Sequence, residues 1–335
     1  MSKKSSVLKK VLIPLFIVII LASSGFYYVY SQSLGNIKTV KIPDNKEELN
    51  TKPDKEDPNA KSKALEKSSD ITNIALFGID TRADDYDGSR ADSIMIASLD
   101  LTHKKIKLTS IMRDSFVSIP GEKYDKINHS YAYGGPELTI KTINENFDMN
   151  IKDYVTVNFS ALEQIVDAVG GVEIDVKDYE IDQISGSSLG VQTLDGQQAL
   201  AYSRIRHAGD GDYERTMRQR TVLQNVINKV LEKKSLPQAI SLISILSPST
   251  QTSLDNSELI GLATTVFSSG ITAMENTRLP VDGQAIGGTW DGVYYLKPDT
   301  LSENVSYLHD FIYEETGYVP SPAVEEISNT IISTV

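Results

Sequence analysis

The sequence predicts a layered α/β or α+β domain over residues 71–316, preceded by a membrane anchor and a polar linker. Three observations predict it. From Ile71 onward, apolar runs of strand length are mixed with longer amphipathic runs of helix length, and such mixtures pack as helices on a sheet. Upstream stand about twenty residues without a charge, enough for a helix to span a bilayer. Between the two lies a stretch rich in Lys, Glu, Asp, Asn and Pro with no apolar period.

The elements follow in chain order. Residues 1–10, MSKKSSVLKK, carry four lysines and no acid. Residues 11–30, VLIPLFIVIILASSGFYYVY, form the span. Pro14 lies near its start, where a helix tolerates proline. Phe26, Tyr27, Tyr28 and Tyr30 crowd its far end as an interfacial belt. Lysines ahead of the span place the N-terminus in the cytoplasm and the rest outside, as a single-pass protein of the cell membrane. A cleaved signal peptide is the alternative. The apolar run is long for a signal core and has no obvious cleavage motif, which favours a retained signal-anchor. Residues 31–70 read as a disordered extracellular linker.

In the domain, NIALFGID (73–80), DSIMIASLD (92–100) and KIKLTSIMRD (105–114) read as strands, the last two joined as an antiparallel hairpin. GPELTIKTINENF (135–147) reads as a helix, YVTVNF as a strand, ALEQIVDAV as a helix and GGVEIDV as a strand. DGQQALAYSRIR opens a helix with Asp195 as N-cap. ERTMRQRTVLQNVINKVLEKK is a long helix. Two helical runs, a strand GVYYLKPD (292–299) and a helix over 299–315 complete the domain; residues 317–335 are an unassigned tail.

Composition narrows the chemistry. The chain has no cysteine, which excludes disulfides, thiolate metal sites and a cysteine nucleophile. Its net charge is −12. An acidic chain facing outward lacks the basic face that nucleic acid requires. There is no GxSxG, P-loop or HExxH. His103, His207 and His309 show no metal-ligand spacing. His129, in KINHSYAYGG, reads as a histidine fixing its loop by hydrogen bonds, with a catalytic role as the alternative.

Only nine residues are arginine, yet YSRIRHAGDGDYERTMRQR (202–220) holds five of them and no lysine. Lysine is the ordinary surface cation of this chain, so arginine looks reserved for binding. Its planar fork grips phosphate bidentately. On a helical wheel, Val222, Leu223, Val226, Ile227 and Val230 form a buried stripe, which extends backward to Gln219 and Arg215. Arg220 falls off the stripe and is expected to be solvated; Arg218 flanks it. A buried guanidinium must line a pocket or pair with a carboxylate. Asp210, Asp212 and Glu214 lie among these arginines, to hold them or to act as a base. Asp80 closes the first strand, Asp92 opens the second and Arg113 closes the third, so antiparallel pairing brings all three to one sheet edge. Two converging carboxylates repel unless a cation lies between them, and Mg²⁺ holding phosphate oxygens is the economical reading. Ordinary turn and strand-start roles for the two aspartates are the alternative.

At these residues the sequence resembles the LytR-CpsA-Psr family of bacterial cell-envelope proteins. The blocks that carry the resemblance are NIALFGID, GSRADSIMIASLD, TSIMRDSFVSIPG, KINHSYAYGG, NFSALEQIVDAVGGVEIDV, LDGQQALAYSRIRH and DYERTMRQR, in order over 71–316. Two positions depart from the family pattern: Ala91 where Ser is usual, and Met112 where Pro is usual. The resemblance implies an α/β/α-type sandwich with a central mixed sheet and an apolar groove for a prenyl chain. It implies a transferase that moves an anionic glycopolymer, such as teichoic acid or capsule, from a polyprenyl pyrophosphate carrier to a muramic acid hydroxyl of peptidoglycan. By motif, Asp80 and Asp92 match its Mg²⁺ site, with Mn²⁺ as a substitute. Arg90, Arg113, Arg204, Arg206, Arg215 and Gln219 match its pyrophosphate-binding set, and Asp212 its acidic partner. Asp80, Asp92, Arg113 and Arg215 are the expected catalytic residues. The general base stays open between an aspartate and a substrate phosphate oxygen. A hydrolase acting on the same carrier, or a binding regulator without turnover, are the rival functions.

Overall fold

A computed structural model describes residues 37–43, 49, 71–80, 86, 88–206, 211–233, 235–271, 273–314 and 316–334. Its strands are β1 (Lys38–Thr39), β2 (Ile71–Ile79), β3 (Ala91–Asp100), β4 (Lys105–Ile111), β5 (Phe116–Val117), β6 (Asp125–Lys126), β7 (Asp153–Asn158), β8 (Val172–Val176), β9 (Gly190–Leu194), β10 (Thr250–Thr252), β11 (Ala273–Leu279), β12 (Ala285–Trp290) and β13 (Val293–Pro298). Its helices are α1 (Ile127–Phe147), α2 (Phe159–Ala168), α3 (Gly196–Arg204), α4 (Asp212–Lys233), α5 (Leu236–Leu246), α6 (Asn256–Ser268), α7 (Leu301–Tyr313) and α8 (Pro322–Ser333).

Alternating apolar residues build the centre of the sheet. Ala75, Phe77 and Ile79 of β2 are buried on one face, with Ile94 and Ile96 of β3 and Ile111 of β4 in the same cluster. β2 and β3 pair antiparallel, as do β3 and β4. Among the described residues a seven-stranded mixed sheet results, in the order β1-β10-β7-β2-β3-β4-β11. β7 joins β2 in parallel, and β11 joins β4 in parallel.

Helices cover both faces, as the sandwich expectation requires. One face carries α1, α7 and α8, whose Ile140, Ile143, Val305, Leu308, Val324 and Ile331 pack with the β2 and β3 residues. The other carries α2, α3 and α4, whose Val166, Ala199, Val222 and Val226 surround the β8–β9 hairpin. α3 sits close on α2. A Cβ at Gly196 would fall 2.3 Å from the Glu163 carbonyl oxygen, so only glycine permits the approach. Asp195 caps α3 as expected, accepting from the Gln198 amide at 2.8 Å.

Several expectations are extended. The helix expected from 135 begins at Ile127 and bends at Gly134 and Gly135, the latter in the left-handed region at φ 61°, before Pro136 restarts it. Strands β9, β10, β11 and β12 were not read from the sequence. Part of the segment read as a disordered linker is ordered against the domain. β1 pairs with β10, and Leu49 is buried in the core, its carbonyl accepting from Asn144 Nδ2 at 2.9 Å. The unassigned tail contains α8, which buries Val324, Ile327 and Ile331. The expected membrane span at 11–30 lies outside the described residues. Among the described residues no helix is long and apolar enough to cross a membrane.

Candidate active site

β2 and β3 meet at the edge where β2 ends. Asp80 follows the last residue of β2 and Asp92 is the second residue of β3. Arg113 follows β4 and arrives at the same edge, because β4 runs antiparallel to β3. The chain then doubles back: Asn128 N donates to the Arg113 carbonyl at 3.2 Å and Ile127 N to that of Ser115 at 2.9 Å. This pins the start of α1 beside Arg113. From the other layer, the end of α3 brings in Arg204 and Arg206. A cavity of about 400 Å³ forms there, lined by Asp80, Ser89, Arg90, Asp92, Arg113, Asp114, Lys126, Asn128, His129 and Arg206.

Within the site each described aspartate faces a cation. Arg113 Nη1 donates to Asp92 Oδ1 at 2.5 Å, and Arg206 Nη2 to Asp92 Oδ2 at 3.3 Å. Arg204 Nη2 donates to Asp80 Oδ1 at 2.9 Å while its guanidinium lies 3.6 Å over the Phe159 ring. Lys126 Nζ is 2.9 Å from Asp114 Oδ1. Asp212, first residue of α4, joins two guanidiniums: Oδ1 lies 2.6 Å from Arg215 Nη2 and 3.6 Å from Arg113 Nη2. Burial opposes the charge on Arg113, but Asp212, Asp92 and Asp114 outweigh it and raise its pKa. Arg215 is only 2 % exposed, and its Nε and Nη1 have no hydrogen-bond partner among the described residues. Burial brings its pKa down to about 10, with Asp212 opposing and Arg113 and Arg206 assisting.

The convergence of Asp80, Asp92 and Arg113 at one edge is therefore observed, and Arg90 and Arg206 line the same cavity. Arg204 and Asp212 contact that lining through Asp80 and Arg113, and Arg215 stands behind Asp212. Gln219 lies one turn beyond Arg215 on α4, half-buried, and is not among the cavity-lining residues. Asp210 lies outside the described residues. Asp80 and Asp92 have the oxygen donors that a hard divalent cation takes, and both line the cavity; among the described residues Asp80 is bonded through Oδ1 alone.

Arg220 requires a correction. It is 8 % exposed, not solvated; Nε donates to Asn276 Oδ1 on β11 at 3.1 Å, and burial, with the charge of Arg278, brings its pKa down to about 10. The wheel assumed one buried face. α4 is covered on two sides, by the β8–β9 layer and by β4 and β11 of the sheet. Arg218 is fully buried: Nε donates to Glu180 at 2.6 Å, Nη1 to the Ile205 carbonyl at 3.2 Å, and Nη2 to Glu214. Both arginines fix α4 rather than line the cavity. Sequence reading missed Asp114, Lys126 and Asn128 as cavity residues. Asp114 was legible as the neighbour of Arg113; Lys126 and Asn128 carry no local signal, because hydrogen bonds between distant segments bring them there.

Comparison with known proteins agrees with this architecture. The sequence profile of the LytR_cpsA_psr family matches residues 27–307. The polyisoprenyl-teichoic acid–peptidoglycan teichoic acid transferase TagU of Oceanobacillus iheyensis is 34% identical over 300 residues, 85% of this chain and 88% of TagU. The corresponding transferase TagT of Bacillus subtilis is 31% identical over 309 residues, 88% of this chain and 92% of TagT. The solved structure of the LytR-CPS2A-psr family protein YwtF (TagT) with bound octaprenyl pyrophosphate lipid superposes with a TM-score of 0.57 at 30% identity, covering 75% of this chain and 92% of that one. The mixed sheet, the edge cavity and the profile match over most of the chain lead to one assignment: the chain belongs to the LytR_cpsA_psr family.

Proposed function

We propose that this protein transfers an anionic glycopolymer, of the teichoic acid or capsule type, from a polyprenyl pyrophosphate carrier to peptidoglycan. One observation carries the reading. In a chain of net charge −12, Arg90, Arg113, Lys126, Arg204, Arg206 and Arg215 gather around a single cavity against Asp80, Asp92, Asp114 and Asp212. The surplus of positive charge suits a dianionic pyrophosphate diester. Forked guanidiniums match its oxygens in a way lysines cannot. The similarity to polyisoprenyl-teichoic acid transferases and to a structure holding octaprenyl pyrophosphate supports it.

The chain's own groups perform most of the work. Arg113 and Arg215, held apart from mutual repulsion by Asp212, present donors to the bridging and terminal phosphate oxygens. They are preorganised, so charge that builds up as the prenyl phosphate leaves meets fixed donors. Arg90 and Arg206, more exposed, receive the diester at the mouth. Asp80 and Asp92 would hold Mg²⁺, or Mn²⁺ in its place. When bound, such an ion offsets phosphate charge as a Lewis acid. The membrane span expected at 11–30 keeps the cavity on the outer surface, where a lipid-linked donor and the wall are both within reach.

A hydrolase would use the same site with water in place of the sugar hydroxyl. The test is incubation of the full chain with labelled lipid-linked donor, with and without peptidoglycan. The transferase reading requires label in the wall polymer and little release without acceptor. Equal release with and without acceptor would make the protein a hydrolase, and no turnover in either would make it a binding protein.

A further inference from the structure

Resting on the transferase reading, we infer that His129 is the general base that takes the proton from the attacking acceptor hydroxyl, and that Asp125 positions it for this. His129 lines the cavity together with Asp80, Asp92 and Arg113. Its side chain is 17% exposed, and Nε2 has no protein partner among the described residues. Nδ1 lies 2.9 Å from Oδ2 of Asp125, in β6 just ahead of the helix; the approach is close but bent, an electrostatic contact rather than a straight hydrogen bond. Asp125 is buried and well furnished with donors. Its Oδ2 accepts from Tyr133 Oη at 2.9 Å and its Oδ1 from the Lys126 amide at 2.8 Å. Burial opposes its charge, but the contacts from His129, the Lys126 amide and Tyr133 outweigh this and hold its pKa below the usual carboxylate value. A carboxylate kept ionised at Nδ1 favours the imidazolium that forms once Nε2 has accepted a proton.

The carboxylates that line the cavity, Asp80, Asp92 and Asp114, each face a guanidinium or ammonium group, as does Asp212 behind them. Asn128, next to His129 and 4% exposed, lines the same cavity with its Oδ1 unbonded among the described residues. A buried acceptor left open there can orient the acceptor sugar through a hydroxyl other than the attacking one. The charged groups around the imidazole are Asp125 and Tyr133 on its own side, and Lys126, Asp114, Arg113, Arg206, Arg90, Asp92 and Asp80 across the cavity.

The step balances as follows. The acceptor O–H bond breaks and its proton goes to His129 Nε2. The acceptor oxygen forms a bond to the phosphorus that carries the glycopolymer. The bond from that phosphorus to the bridging oxygen breaks, and polyprenyl phosphate leaves with the electron pair. The imidazolium then returns its proton to the leaving phosphate or to water.

The experiment measures single-turnover transfer by the full chain in detergent, with a short-chain prenyl pyrophosphate saccharide donor and peptidoglycan fragments. Donor binding and thermal melts are measured in parallel. His129→Gln should lower the rate about 10²–10⁴-fold with donor binding unchanged, and should abolish the acid limb of the pH–rate profile. Asp125→Asn should move that limb to lower pH, because the imidazolium loses its counter-charge. A His129→Gln protein that keeps more than about a tenth of the rate with its acid limb intact would overturn the inference. So would a rate loss that tracks lost donor binding. Should His129→Gln fail to fold, an unmoved acid limb in Asp125→Asn is the overturning result. Wild-type transfer in the same assay separates failure of this inference from failure of the transferase reading.

Discussion

Arg215 and Arg220 lie on the same helix, are nearly equally buried and differ in what they touch. Replacing each by lysine should separate binding from stability. At Arg215 one nitrogen is engaged by Asp212 at 2.6 Å, while Nε and Nη1 have no partner among the described residues. Those are the donors a phosphate would take. A lysine keeps the charge but not the fork, and loses at least one charged hydrogen bond, about 1.5–3 kcal/mol. That is about ten- to a hundredfold in affinity for a soluble short-chain prenyl pyrophosphate, measured by calorimetric titration. The melting temperature should barely move, since Asp212 can still pair with the ammonium. Arg220→Lys should do the reverse. It loses the bond to Asn276 and leaves a buried ammonium poorly satisfied, at about 1–3 kcal/mol, while donor affinity stays unchanged. About 2–4 °C of melting temperature per kcal/mol is expected for a domain of this size. Donor affinity of Arg215→Lys within about twofold of wild type would refute the reasoning. Equal affinity losses at both positions would also refute it, since the cluster would then act as a diffuse basic patch.

Other outcomes follow from the same structure. Asp80→Ala and Asp92→Ala should each abolish transfer with the fold intact, and chelation should inhibit the wild type until Mg²⁺ or Mn²⁺ is restored; near-normal transfer by either folded variant across a range of Mg²⁺ would remove the metal role. Lys107 is fully buried, donating to Asp100 Oδ2 at 2.9 Å and to the Ile312 carbonyl at 2.7 Å, so Lys107→Met should cost about 3–5 kcal/mol by leaving the buried Asp100 with its His103 contacts alone, read as a melting temperature about ten degrees lower. The pKa of Asp100 is depressed below 3.8: burial opposes its charge, and bonds from His103 and Lys107 outweigh it. Its stabilisation is therefore present above about pH 4 and lost as pH falls through the folded value, and Asp100→Asn should flatten that acid part of the stability profile in thermal melts. External protease on intact protoplasts should remove the domain, and full protection would refute the extracellular placement.

How legible the protein was depends on the element. The β2–β3–β4 meander was readable because its apolar alternation is regular and its joins are short, and strand direction alone then brought Asp80, Asp92 and Arg113 together. Asp195 was readable because a cap is local chemistry. β11, with the sequence AMENTRL, was not, because its polar residues break the period-two pattern and its pairing partner lies far away in sequence. β12 hides behind Gly287 and Gly288. In α8 the signal existed: Ser321 as cap, Pro322 in the first turn, and Val324, Ile327 and Ile331 at helical spacing. Arg220 failed because a wheel shows one face of a helix, whereas α4 is enclosed by two neighbours. Lys126, Asn128 and His129 reach the cavity only through the hydrogen bonds that fold the start of α1 onto the end of β4, a long-range fact no local pattern contains.

The central claim is formation of a phosphodiester between glycopolymer and wall. The most direct test incubates the purified full chain with a defined, isotopically labelled prenyl pyrophosphate-linked saccharide and peptidoglycan, digests the wall, and analyses the muropeptides by mass spectrometry. A muramic acid residue carrying the labelled saccharide through a single phosphate is expected, with one equivalent of prenyl phosphate released. Labelled saccharide phosphate found only in solution, with no modified muramic acid, would contradict it.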